Sequence, residues 1–514
     1  MGNVDDPRPP MIVRLARRAA LAMLMLALAP MVLAAHVGSP DVIFDGKAGP
    51  YDVRVIVRVP MVVPGLADVT VRVLDGDARA VRIRPVFWRA GVNGAPSADV
   101  ANPVRGTRDL YTGQLWLMAR GAYSVYVTVD GPRGSGTASV PVMSVATGRL
   151  GMSPGLRLLL AALGLLLLAG LVTIAYIAAG ESVVEPGRPM DTARRTRARL
   201  IGALSAPVLA VIVFGGARWW QSVDATYASR MYRPLATHTS ITRQAGVSTL
   251  RFAVVDSLDG VTRLDPLVPD HGKLMHLFVI DSARMESFAH LHPAFDDTAT
   301  FTATLPPLPP GTYRLFGDVA FETGQTRTLT GVVHLTRDDS LAASAVANRD
   351  PDDAWRVAPP ALRRTGTATI DTLEDGSSME WLPDSTPIRS GEEATLRFRV
   401  RDPSGAVATL EPYLGMSAHA VIAKRDGSVF VHVHPSGTVS YAAQAVFALR
   451  DRGDTTTSGR LRLQHDSMPS MSMARSGDVS FPYLFPRAGD YRIWVQVRRG
   501  GRVLTGVFEL SVVG

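Results

Sequence analysis

Apolar residues along this chain follow two kinds of pattern. Leu156 to Ala179 is continuously apolar, with no charge after Arg157, and Leu200 to Ala217 is a shorter run ending in Arg218-Trp219-Trp220. Apolar runs of about 20 residues suit membrane-crossing helices, and a tryptophan pair suits the membrane interface. A further run, Leu21 to Leu33, follows Arg14, Arg17 and Arg18 and precedes Ala34-Ala35. That is the layout of a secretory signal. Cleavage after Ala35 would leave His36 first; an uncleaved anchor is the other reading.

Elsewhere the pattern has period two. Val53, Val55, Val57 and Val59 share one face, with Arg54 and Arg58 on the other; Val69, Val71 and Val73 repeat this, as do Tyr123, Val125, Val127 and Val129. Short alternating runs broken by Gly and Pro predict all-β sandwiches. The predicted fold is mainly β, with three immunoglobulin-like β-sandwich domains and a two-helix transmembrane hairpin between the first and second. The boundaries are a signal peptide at 1–35, a first exported domain at 36–150, and transmembrane helices at 156–179 and 200–218 around a cytoplasmic loop at 180–199. A second sandwich at 237–338 and a third at 367–514 flank a linker at 339–366 that is rich in Asp, Ala, Pro and Arg. The loop carries Arg188, Arg194, Arg195, Arg197 and Arg199. Positive charge marks the cytoplasmic side, which places the bulk of the chain outside the inner (cytoplasmic) membrane. Neither apolar run has an ionisable residue at mid-depth, as an ion pathway would require.

The last two domains are copies of one unit. Thr249-Leu250-Arg251-Phe252 matches Thr395-Leu396-Arg397-Phe398, and Leu264-Asp265-Pro266 matches Leu410-Glu411-Pro412. His290-Leu291-His292-Pro293 matches His432-Val433-His434-Pro435. Gly311-Thr312-Tyr313-Arg314 matches Gly489-Asp490-Tyr491-Arg492, and Leu329-Thr330-Gly331-Val332 matches Leu504-Thr505-Gly506-Val507. A further histidine, His276 or His419, stands four residues after a glycine in each copy.

In copy two, Asp426-Gly427 is a two-residue turn signal. Counting outward pairs Arg425 with Ser428, Val421 with His432 and His419 with His434. Opposed residues share a face, so His419, His432 and His434 fall together, while Val429, Val431 and Val433 point into the core. Copy one has His276, His290 and His292, with His271 and Met275 close by, but its connection, Asp281 to Ser287, is one residue longer and leaves the register open. Three clustered imidazoles suit copper or zinc. Copy two adds a polar loop, His465-Asp466-Ser467-Met468-Pro469-Ser470-Met471-Ser472-Met473, in which Met468, Met471 and Met473 suit Cu(I) capture.

The chain has no cysteine, which excludes disulfides and thiolate sites and leaves His and Met to hold any soft metal. The net charge is +8, and lysine occurs only at Lys47, Lys273 and Lys424. The arginines are scattered along strands with no basic stripe and interleaved aromatics, so nucleic acid is not an expected partner. No nucleophile elbow, HExxH helix, phosphate loop or dinucleotide fingerprint is present, and no enzyme activity is expected.

The first exported domain, with its Gly49-Pro50-Tyr51 opening and its closing Gly121 and Tyr123, resembles the YtkA-like and FixH-like exported domains. The His/Met repeats resemble CopC-type periplasmic copper-handling β-sandwiches. That resemblance implies histidine and methionine ligands and a place for His36 as an N-terminal copper ligand; the Asp-x-His partner of that family is absent from the first domain. The expected function is a membrane-anchored extracytoplasmic protein that buffers copper or delivers it to a periplasmic copper enzyme or efflux system. The alternative is a structural or protein-interaction module of the cell envelope whose histidines are surface residues.

Overall fold

The computed structural model describes residues 36–37, 41–182, 184–185, 187–244, 246–255, 264, 266–296, 299–342, 349–357, 359–360, 362–455, 460–461 and 476–514. The signal segment 1–35 and the loop residues His465, Met468, Met471 and Met473 lie outside them. The fold is mainly β, in several sheets, with two long apolar helices.

Period-two alternation becomes sheet directly in the first domain. Val53, Val55 and Val57 are fully buried in the strand Tyr51–Arg58, while Arg58 is exposed. Eight strands, from Asp41–Ala48 to Gly134–Ser144, form one hydrogen-bonded path around a Val-rich core. This domain docks on copy two. His36–Val37 runs parallel to Val429–Phe430, Thr438 N donates to Ile43 O at 2.9 Å, and Val439 enters the first domain's core.

The helices Pro154–Glu181 and Thr192–Ser229 pack side by side and are long and apolar enough to cross a membrane. Ser153 and Asp191 cap them, their side chains accepting from Leu156 N and Arg194 N. The second helix begins inside the expected loop and continues past Arg218 to Ser229. There Arg149 pairs with Asp224 at 2.9 Å and the Tyr227 hydroxyl reaches Gly148 O, fastening the helix end to the first domain.

Each copy has two sheets sharing one core. In copy one the sheets contain Thr237–Gln244, Val247–Val254, Ala294–Phe295 and Thr300–Thr304 on one side, and the hairpin His276–Asp281 with Phe288–Leu291, joined by Gly311–Phe321, on the other. In copy two Glu393–Arg401 and Asp478–Leu484 face the hairpin His419–Lys424 with Val429–Val433, joined by Gly489–Arg499. Within the stretch 339–366, Ala354–Arg356 is an edge strand on Phe288–Leu291. Buried Arg356 crosses from it to grip Asp371 at 2.6 and 3.0 Å and the Thr505 carbonyl at 2.6 Å in copy two.

The two histidine-bearing sheets pack against each other through their outer faces. Phe278, Ile280, Phe288 and Phe316 meet Val421, Ala423, Phe430, Trp494 and Val507 in a wholly buried seam. The contacts are reciprocal. Phe316 stacks on Phe430 at 4.1 Å, and Trp494, which stands at the position of Phe316, stacks at 4.9 Å on Phe288, which stands at the position of Phe430. An internal two-fold relates the copies, as in an isologous dimer.

Candidate metal centre

The hairpin turns decide which side chains enter this seam. In copy two Gly427 N donates to Lys424 O, and the register pairs Ala420 with Val433, Val421 with His432 and Ala423 with Phe430. In copy one the longer connection closes with Asp281 N donating to Ser287 O and keeps the matching register, Phe278 opposite His290 and Ile280 opposite Phe288. Each hairpin therefore presents an apolar half near its turn and a histidine half away from it. Val429, Val431 and Val433 point the other way, into copy two's core.

Because the sheets meet face to face, both sets of histidines form one buried cluster. His276 lies within 5.3 Å, ring centre to ring centre, of His290, His292 and His432, and His419 within 5.3 Å of His271, His432 and His434. The ligand groups do not follow the copies. His276, His290 and His292 stay together, with one nitrogen of each within 4.8 Å of the others. In copy two the expected trio is divided: His419 and His434 group in the same way with His271 of copy one, and His432 stands between the groups, 4.5 Å from His434 and 5.9 Å from His290. His271 sits in a left-handed turn (φ 52°) that copy two repeats at Leu414 (φ 50°). Met275 is not part of the cluster. It immediately precedes the strand His276–Asp281 and points away from His276, into copy one's core beside Gly317 and Phe252.

Ring nitrogens facing away from the centre are held by acceptors. His292 Nδ1 bonds Asp353 at 3.0 Å, His434 Nδ1 bonds the Val439 carbonyl at 3.2 Å, His276 Nε2 bonds the Asp270 carbonyl at 3.1 Å and His290 Nδ1 bonds Gln496 Oε1 at 2.8 Å. His432 Nδ1 lies 3.6 Å from Asp318. Here too the two-fold shows: Asp318 and Gln496 occupy matched positions, each reaching the other copy's central histidine, and each is held by a threonine, Thr328 or Thr505. Other ring nitrogens of the cluster have no such partners. His271 Nε2, His292 Nε2, His432 Nε2, His434 Nε2 and both nitrogens of His419 are buried without a hydrogen bond. Leaving a polar atom buried and unsatisfied costs on the order of 1–3 kcal/mol each. Histidines that ligate metals show this arrangement: the outer N–H on a carbonyl or carboxylate, the inner nitrogen bare.

Protonation does not relieve the cluster. Burial, followed by the neighbouring rings, holds His290, His292, His419 and His432 well below the usual histidine range, and burial lowers His434 to about 4. Neutral imidazole is the ligating form. His276 Nδ1 and His290 Nε2 face each other at 3.0 Å. With both outer nitrogens donating, both inner ones are bare lone pairs. Half a turn of the Gln496 amide would let one ring donate to the other, so this pair weighs less than the orphaned nitrogens. Asp350 and Asp353 also approach His292, but Lys273 holds Asp350 at 2.6 Å and the His292 amide and ring hold Asp353, so these carboxylates orient and neutralise.

A cavity of about 560 Å³ opens onto the cluster. Its lining includes Val59, Met61 and Met143 of the first domain, Tyr232 after the second helix, and Asp270, Asp318, His432 and His434. Sequence reasoning did not single out Asp270, Asp318, Asp353, Gln496 or Tyr413, whose hydroxyl lies 3.2 Å from His290 Nδ1. Asp318 and Gln496 carried a usable signal, being polar residues seven positions after the matched Gly311 and Gly489.

A sequence model of a family described as a domain of unknown function, DUF8832, matches residues 236–337 and 371–514, which are the stretches of the two copies. No curated protein matches the chain. Among solved structures, dimeric latent PorU from Porphyromonas gingivalis aligns with 92% of this chain and 34% of its own at 9% identity and a TM-score of 0.14. Elastase-activated alpha-2-macroglobulin from Escherichia coli aligns with 92% and 30% at 11% identity and a TM-score of 0.16. The chain thus spans about a third of the length of these proteins, and superpositions this loose relate neither protein's fold nor its action to it.

Proposed function

We propose that this protein binds metal ions between its two repeats, as an extracytoplasmic module anchored in the inner membrane by a transmembrane hairpin formed by its two apolar helices. The observation that carries the reading is the set of buried imidazole nitrogens without hydrogen-bond partners, gathered in one cluster. Neutral imidazoles favour copper or zinc, and a chain without cysteine has no thiolate to offer. Copper is our choice of metal because Met468, Met471 and Met473 would supply soft thioethers on the same copy, and Met61 and Met143 line the cavity that reaches His432 and His434. Buffering, or handing copper to an exported copper enzyme or efflux system, suits a site with an access route. The three β domains are immunoglobulin-like sandwiches on this reading, similar in kind to exported copper-handling domains.

The test is metal uptake by the full chain in detergent micelles. Cu(I), Cu(II) and Zn(II) are offered in turn in competition with a chelator, and retained metal is measured by mass spectrometry. The wild type is expected to retain copper, and the double variant His419→Ala with His434→Ala to retain less. A wild-type protein that retains no metal overturns the proposal and leaves the seam as a purely structural interface.

A further inference from the structure

Deepening that reading and resting on it, we infer that the seam holds two metal ions, one bridging the copies and one within copy one. The ligand nitrogens fall into two trios that share no residue, His271–His419–His434 and His276–His290–His292. Ring centres lie 5.0–5.3 Å apart in the first trio and 4.5–5.2 Å apart in the second, while rings of different trios, His271 with His276 and His276 with His419, stand 6.2 and 6.5 Å apart. Ring centres bound to one ion through nitrogens at about 2 Å lie at most roughly 6 Å apart, and only when the rings are trans, so two separately close-set trios divide between two ions. His432, with its Nε2 unpartnered, lies between them and is placed to complete either ion's shell.

The trios are anchored differently. The bridging trio takes His271 from copy one and two histidines from copy two; His271 Nε2 lies 3.8 Å from an Asp270 carboxylate oxygen, His434 is oriented by the Val439 carbonyl, and both nitrogens of His419 lack a hydrogen bond. The inner trio lies on one hairpin and is oriented from outside by Asp353, Gln496 and the Asp270 carbonyl. Two ions a few ångströms apart, each with three imidazoles, form a binuclear histidine centre, and its ligand class is a pair of copper or zinc ions.

The repeat supplies its own control. Copy two carries Leu414 in the same left-handed turn as His271, so His271→Leu installs a residue that this turn already accepts. Metal is counted by native mass spectrometry on full chains in detergent, in a background of Met468→Leu, Met471→Leu and Met473→Leu that silences the loop. Two ions are expected in that background, one after His271→Leu and one after His292→Leu. Circular dichroism and melting curves are recorded for each variant, and His271→Gln is the second variant should His271→Leu fail to fold. Loaded with Cu(II), the two-ion protein is expected to show a spin-coupled half-field signal that His271→Leu abolishes. A single ion in the parent chain, or two ions retained by folded His271→Leu and His271→Gln, overturns the two-ion inference and leaves metal binding standing. No ion at all overturns metal binding itself.

Discussion

Replacing Trp494 by alanine tests whether the seam joins the copies. Trp494 is fully buried and stacks on Phe288 at 4.9 Å, across the boundary between the repeats. Its neighbours on the strand, Ile493 and Val495, point into copy two's own core, so the substitution spares that core. Trp→Ala at a packed site costs roughly 3–5 kcal/mol, of which an aromatic stack supplies about 0.5–1.5 kcal/mol. At about 1.4 kcal/mol per decade, the fraction of molecules with separated sheets should rise by roughly two to three and a half orders of magnitude. Hydrogen exchange on the metal-free protein reads this directly. The seam-facing hairpins, Phe278–Ile280 and Val421–Ala423, should lose protection, while core strands such as Leu396–Val400 keep theirs. Unchanged exchange in those hairpins in folded Trp494→Ala protein would refute the packing of the seam.

Asp353→Ala removes the carboxylate that orients His292 and should weaken metal affinity about 10- to 100-fold in chelator competition, with little change in fold. Acid should loosen the metal-free seam: a ring held at about 4 when folded and about 6.5 when unfolded loses stability as pH falls through that window, about 2 kcal/mol between pH 7 and 5 for His434 alone. Asp318 and Asp353, pushed by burial up to about 7, work in the opposite sense over the same range by about 2 kcal/mol each, but His290, His292, His419 and His432 join His434, so melting temperature should fall between pH 7 and 5; a rise would contradict the neutral-ring account. Because the chain has no cysteine, single substitutions report topology cleanly: an impermeant maleimide should label Ser404→Cys from outside intact cytoplasmic membranes and spare Gly187→Cys, and the reverse pattern would invert the anchor.

The sequence by itself determined what is local. Alternation of apolar residues determines which face of each strand is buried, as at Val53, Val55 and Val57. The Asp426-Gly427 turn determines the hairpin register, because a two-residue turn leaves one way to count pairs outward; Val421 does face His432. The same alternation, carried one residue back from the strand His276–Asp281, assigns Met275 to the core, although proximity in sequence suggests a ligand. Repetition marks the two copies.

Only the tertiary structure decided how the copies meet. A hairpin face bearing His419, His432 and His434 has the pattern of a solvent-facing surface, and it is buried here because an equivalent face of copy one lies on it. Nothing local links His271 to His434, 163 positions further along by subtraction of their numbers, or Gln496 to His290. Face-to-face packing about an internal two-fold interleaves side chains from both copies. The grouping of ligands is therefore a property of the interface, and the period-two pattern of each strand carries no record of it.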